Sequence, residues 1–120
     1  MIVTSEEISQ FRTQLADYPQ ALQALDEIEA CEGDLQDAAL VLAIKSGYEP
    51  DRAGLFNKLV ERSRDILCQE DVQDNIMAGM LAGAVEMLLA STMVPPGLAT
   101  PVVIYVFKRG IKEYCKTPEK

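Results

Sequence analysis

The sequence predicts an all-α protein, a compact bundle of about six helices, on three observations. Helix-capping signals recur along the chain, apolar residues repeat at helical spacing between them, and the stretch from Val72 to Met93 is apolar on almost every face. With 120 residues and 48% hydrophobic content, the chain has the size of a single helical domain able to bury a core. Within it, residues 1–48 read as an acidic three-helix part and residues 51–116 as a hydrophobic helical part.

Val3, Thr4, Glu7 and Ile8 occupy the positions of a capping box with a hydrophobic staple, and Phe11 and Leu15 continue the apolar face. The first helix is therefore expected from about Ser5 to Ala16. Asp17-Tyr18-Pro19 stops it, because proline disfavours helical geometry in the residue before it, and Pro19 suits the first turn of a second helix. Leu22, Leu25 and Ile28 give that helix its inner face. Gly33 suits the positive φ that ends it, and Asp34 accepts from the free amides that open a third, with Leu35, Ala38, Ala39 and Leu42 inward.

Gly47 closes the third helix, and Glu49-Pro50-Asp51 reads as a stop followed by an N-cap. The fourth helix then carries Leu55, Phe56, Leu59, Val60, Ile66 and Leu67 on its apolar side, and Lys58, Glu61, Arg62, Arg64 and Asp65 toward solvent. A fifth helix, from near Asp71 to just before Pro95, is expected at the centre of the bundle. Gly79 and Gly83 lie four apart on it beside Ala78 and Ala82, a smooth strip for a close helix-packing seam within the chain or in a homodimer. Pro95-Pro96-Gly97 breaks the chain, and Thr100-Pro101 reads as the N-cap and first residue of a sixth helix. The run from Val102 to Phe107 has strand preference, but a lone strand would leave its amides unpaired, so helix is the reading.

Charge narrows the function classes. Residues 1–50 hold ten acidic and two basic side chains, while the remainder holds nine of each, so the net charge of −8 resides in the first half. Nucleic acid is excluded as a partner on this balance, since a reader of phosphate backbones needs a basic stripe. The one basic cluster is Lys108, Arg109, Lys112 and Lys116.

Between Asp74 and Lys108 the only charge is Glu86. That stretch has either to be buried in protein or to enter lipid. The prolines break it into pieces too short for one continuous span, so the membrane alternative is a hairpin of residues 72–107 with Lys108, Arg109 and Lys112 at the headgroups. Burial in protein is the favoured reading.

Little in the sequence assembles a reactive site. Histidine is absent, which removes the commonest acid/base and metal ligand of neutral pH. Cys31, Cys68 and Cys115 are widely spaced and odd in number, so they read as reduced core thiols, with neither a disulfide framework nor a zinc site. The N-terminal residues have no signal-like pattern, and a cytoplasmic address is expected. No metal and no cofactor is expected. Asp26, Glu27, Glu29, Glu32, Asp34 and Asp37 form an acidic region without calcium-loop spacing, and read as solvated helix faces. Glu86, flanked by apolar helix, is the candidate buried carboxylate, with Arg62 or Arg64 as its partner. Tyr105 and Tyr114 read as core or rim rings near a helix end.

The segment from Leu15 to Leu42 resembles the three-helix ubiquitin-associated and CUE families. Tyr18-Pro19 matches their aromatic-proline turn, Gly33-Asp34 their cap between helices two and three, and Ala38 and Leu42 their small and leucine positions. Asp17 replaces the family's methionine and Ala43 its second leucine, the two places where the family touches ubiquitin. The resemblance spans about residues 5–46 and implies a small protein-binding fold, without implying ubiquitin as its ligand.

The functional expectation is a non-catalytic protein-interaction or adaptor protein rather than an enzyme. Its partner would be another protein with a basic surface, met by Tyr18, Pro19, Glu29, Glu32, Asp37 and Leu42.

Overall fold

The computed structural model describes residues 1–48 and 54–116, which form an all-α bundle. Among the described residues there are nine helices: α1 (Ser5–Gln14), α2 (Pro19–Ala30), α3 (Leu35–Lys45), α4 (Leu55–Arg62), α5 (Arg64–Leu67), α6 (Glu70–Met77), α7 (Ala82–Ser91), α8 (Pro96–Arg109) and α9 (Ile111–Lys116). The radius of gyration is 13.1 Å.

The first three helices follow their local signals closely. Thr4 accepts from the Glu7 amide while Glu7 accepts from the Thr4 amide, completing the capping box. Pro19 is the first residue of α2, and Asp34 caps α3 through the Asp37 amide. Glu32 and Gly33 both take positive φ after α2. Their amides donate to the Glu29 and Ile28 carbonyls, satisfying the helix end. The N-terminal residues run back alongside this turn: Val3 N–H donates to the Gly33 carbonyl at 2.8 Å and Leu35 N–H to that of Met1 at 3.0 Å. A Cβ on Gly33 would lie 2.3 Å from the Val3 carbonyl oxygen, so glycine is required by crowding as well as by φ.

The second half is more broken than its periodicity suggests. The expected N-cap at Asp51 lies outside the described residues, and the fourth helix divides at Ser63, which is buried and donates its hydroxyl to the Leu59 carbonyl. The expected fifth helix is two helices. Gly79, at φ +83°, ends α6, with its own amide bonded to the Ile76 carbonyl and the Met80 amide to that of Asn75. Nothing lies within 4 Å of a Cβ placed on Gly79, and only the Asn75 side chain reaches that distance from Gly83. Gly79 is therefore a helix stop and Gly83 an exposed position, and among the described residues no helix packs closely on either.

The sixth helix begins at Pro96, earlier than the expected Thr100-Pro101 start, with Pro95 as its N-cap; Pro101 lies inside it. It ends at Gly110, after which α9 begins. Helix α8 is the central element, lying against α2, α3, α4, α7 and α9. Val102, Val103, Ile104 and Val106 are fully buried in a single core cluster. The β-branched run is thus helical because burial on several sides outweighs its modest strand preference. Most of the large apolar side chains of residues 72–107 are buried or half-buried by polypeptide, Met77 and Met80 being exposed, and no described helix is long and apolar enough to cross a membrane.

Candidate functional site

An open groove with a volume of about 850 Å³ lies between α2, α3 and the Pro95–Gly97 turn. Gln20, Gln23, Glu27 and Ala30 recur at helical spacing and form its α2 wall, while Lys45 and Ser46 at the end of α3 form the opposite one. Leu42 lies beneath, almost fully buried. Around the proline turn the groove meets a second recess of about 380 Å³, lined by Tyr48, Arg62 and Met93 among others; Ser46, Pro95 and Pro96 border both. Arg62 donates to the Met93 carbonyl at 3.4 Å.

The charges of the groove are arranged unevenly. Glu27 is bound by Lys45 at 3.0 Å, and the Cys31 thiol donates to its other carboxylate oxygen at 3.7 Å. Burial, and then the Glu27 charge, push the Cys31 thiol above its ordinary pKa, which disfavours the reactive thiolate. Asp26 and Glu29 share Arg12, at 2.7 and 2.8 Å. The hydrogen bond to Asp26 is the main reason the Arg12 pKa is raised, against a smaller opposing effect of burial.

The sequence-predicted partner residues are spread over α2, the turn after it and α3. Tyr18 and Pro19 begin α2, with Tyr18 packed against the core, whereas Glu29 lies near its other end, roughly 15 Å away along the helix. Glu32 and Asp37 are exposed, and Leu42 is a core residue that borders the groove. Glu86 is a correction. It is exposed, because α7 turns Ala84, Val85 and Leu88 inward and leaves position 86 outside. It makes no ion pair among the described residues, and Arg64 is bound to Glu61 instead.

The cysteines are also corrected. Cys68, after α5, and Cys115, in α9, form a disulfide with Cα atoms 5.6 Å apart, leaving Cys31 as the free thiol. Separated by 47 positions, they show no pairing signal in the sequence; folding of α9 onto α5 brings them together.

Sequence reasoning missed Gln20, Gln23, Pro95 and Pro96 as site residues. The glutamines share the polar face of α2 with Glu27, which periodicity displays, but their pairing with a turn some seventy positions later has no sequence signal. Among the described residues no group of histidine, cysteine, aspartate and glutamate is placed to hold a metal. Compared with known proteins, the chain matches no family model, no curated protein and no solved structure.

Proposed function

We propose that the protein is a non-catalytic interaction or adaptor module that receives a partner with a basic surface on the face built from α2, α3 and the Pro95–Gly97 turn. The observation that carries the reading is the open groove, with Asp26 and Glu27 on its rim and an apolar floor at Leu42. An extended lysine- or arginine-bearing segment complements such a groove in charge, and the net charge of −8 accelerates its approach at low salt. The resemblance of residues 5–46 to ubiquitin-associated and CUE modules supports a protein-binding role of the same kind. Burial of the α7–α8 side chains within the bundle favours this reading over membrane insertion.

Fluorescence anisotropy with lysine-rich and glutamate-rich peptides of equal length tests the proposal. The basic peptide should bind, weaken as salt rises, and weaken about tenfold more when Gln20→Lys and Gln23→Lys are combined. Equal affinity for both peptides, or indifference to the two substitutions, would reject the groove as the docking face.

A cytoplasmic setting goes with this reading. There the Cys68–Cys115 bridge meets reducing thiol pools, so alkylation of thiols in intact cells tests the setting directly. Recovery of Cys68 and Cys115 in the alkylated form supports the cytoplasm, and recovery as an intact bridge counts against it.

A further inference from the structure

Away from the α2–α3 groove, a recess of about 370 Å³ opens between α4, α8 and α9, lined by Asn57, Glu61, Arg64, Tyr105, Arg109 and Tyr114. We propose that this recess binds a small oxyanion, the carboxylate or phosphate end of a small molecule. Two guanidinium groups meet here on a chain whose net charge is −8. Among the described residues Glu61 is the one carboxylate in the lining, and Arg64 binds both its oxygens, at 2.8 and 2.9 Å. Among the described residues of the lining, Arg109 has no carboxylate partner.

The walls are held before any ligand arrives. Arg64 lies 4.7 Å from the centre of the Tyr114 ring and donates to the Tyr114 carbonyl. Tyr114 is buried and donates its own hydroxyl to the Val60 carbonyl at 2.5 Å. Tyr105 packs edge-on against Phe56, with ring centres 5.4 Å apart, which fixes where its hydroxyl lies.

Arg109, Tyr105 and Asn57 all line this recess. Arg109 Nη1 donates to the Tyr105 hydroxyl at 3.1 Å, so the phenol oxygen acts as acceptor there and its hydrogen is available to a ligand. The other guanidinium hydrogens of Arg109, and the side-chain amide of Asn57, have no partner among the described residues. A planar guanidinium beside a phenol and an amide matches the acceptor geometry of a carboxylate or phosphate, and the volume suits a small molecule.

The test is an NMR titration of the full chain with inorganic phosphate, with acetate and with sodium chloride at matched ionic strength, following the arginine Nε–H signals and the tyrosine rings. Saturable shifts at Arg109 and Tyr105 are expected with phosphate, acetate or both, and the stronger ligand identifies the class. Arg109→Gln should weaken binding about tenfold, since a charge-assisted contact is lost, and Tyr105→Phe should weaken it by less. Lys112→Gln, an exposed change on α9, should leave binding unaltered. Shifts no larger than those with chloride, undiminished binding by the Arg109 variant, or an equal loss in the Lys112 variant would overturn the proposal.

Discussion

Lys108 Nζ reaches both carboxylate oxygens of Glu7, at 2.7 and 2.8 Å, across 101 positions of sequence. The pair joins the end of α8 to the capping box of α1, so one carboxylate closes the first helix and also anchors the central one. Burial alone would raise the Glu7 pKa. The hydrogen bond from Lys108 and that from the Thr4 amide outweigh it and hold the carboxyl below its ordinary value.

A depressed folded-state pKa means that this contribution is present above the unfolded-state value and is lost as pH falls through the folded one. Glu7→Gln keeps the capping acceptor but removes the charge. It should lower stability at neutral pH by about 1 kcal/mol, with the gap to wild type closing at an acidic pH below the ordinary carboxylate range. Urea titrations of both proteins at the two pH values check this. A constant gap would assign the loss to packing.

Gly33 and Gly47 separate two reasons for glycine. Both have positive φ, but a Cβ at Gly33 meets the Val3 carbonyl whereas one at Gly47 meets nothing within 4 Å. Gly47→Ala should cost about 1–2 kcal/mol, the left-handed strain alone. Gly33→Ala should cost clearly more and detach residues 1–3, visible as faster amide exchange at Val3 and Leu35. Equal denaturation midpoints for the two variants would contradict the close approach.

The Cys68–Cys115 bridge closes a loop of 47 positions. Replacing both cysteines with alanine should lower stability by about 4 kcal/mol on the loop-closure model. Thiol titration of the unfolded, non-reduced protein should find Cys31 alone. Detection of three thiols would remove the bridge from the native fold.

Gln14 staples the break between α6 and α7. Its Nε2 donates to the Gly79 carbonyl at 2.6 Å, and its Oε1 accepts from the Leu81 amide at 2.8 Å. Gln14→Ala should cost about 1–2 kcal/mol and speed hydrogen exchange at Leu81. Unchanged exchange there would show that the turn holds itself.

The pattern of agreement follows the range of the forces involved. The starts of α1, α2 and α3 rest on Thr4, Pro19 and Asp34, whose partners lie within four residues, and they were legible. Gly79 was ambiguous, because a glycine beside alanines serves equally as a packing strip or as a helix stop. What distinguishes them is the distant Gln14 side chain and the Schellman bonds of the folded turn. Glu86 misled for a related reason: apolar neighbours in sequence say little about which side of a helix meets solvent when the helix is short and nearly uncharged. The groove joins residues from opposite ends of the chain, and periodicity displays only its α2 wall.

The crosslink between Cys68 and Cys115 also sets how the molecule answers mechanical load. Pulled from its two ends, the oxidised chain carries tension directly from position 68 to position 115, and α6, α7 and α8 sit in a shunted segment that feels none of it. The oxidised molecule should extend roughly 160 Å less than the reduced one at full stretch, a length set by the residues the crosslink bypasses.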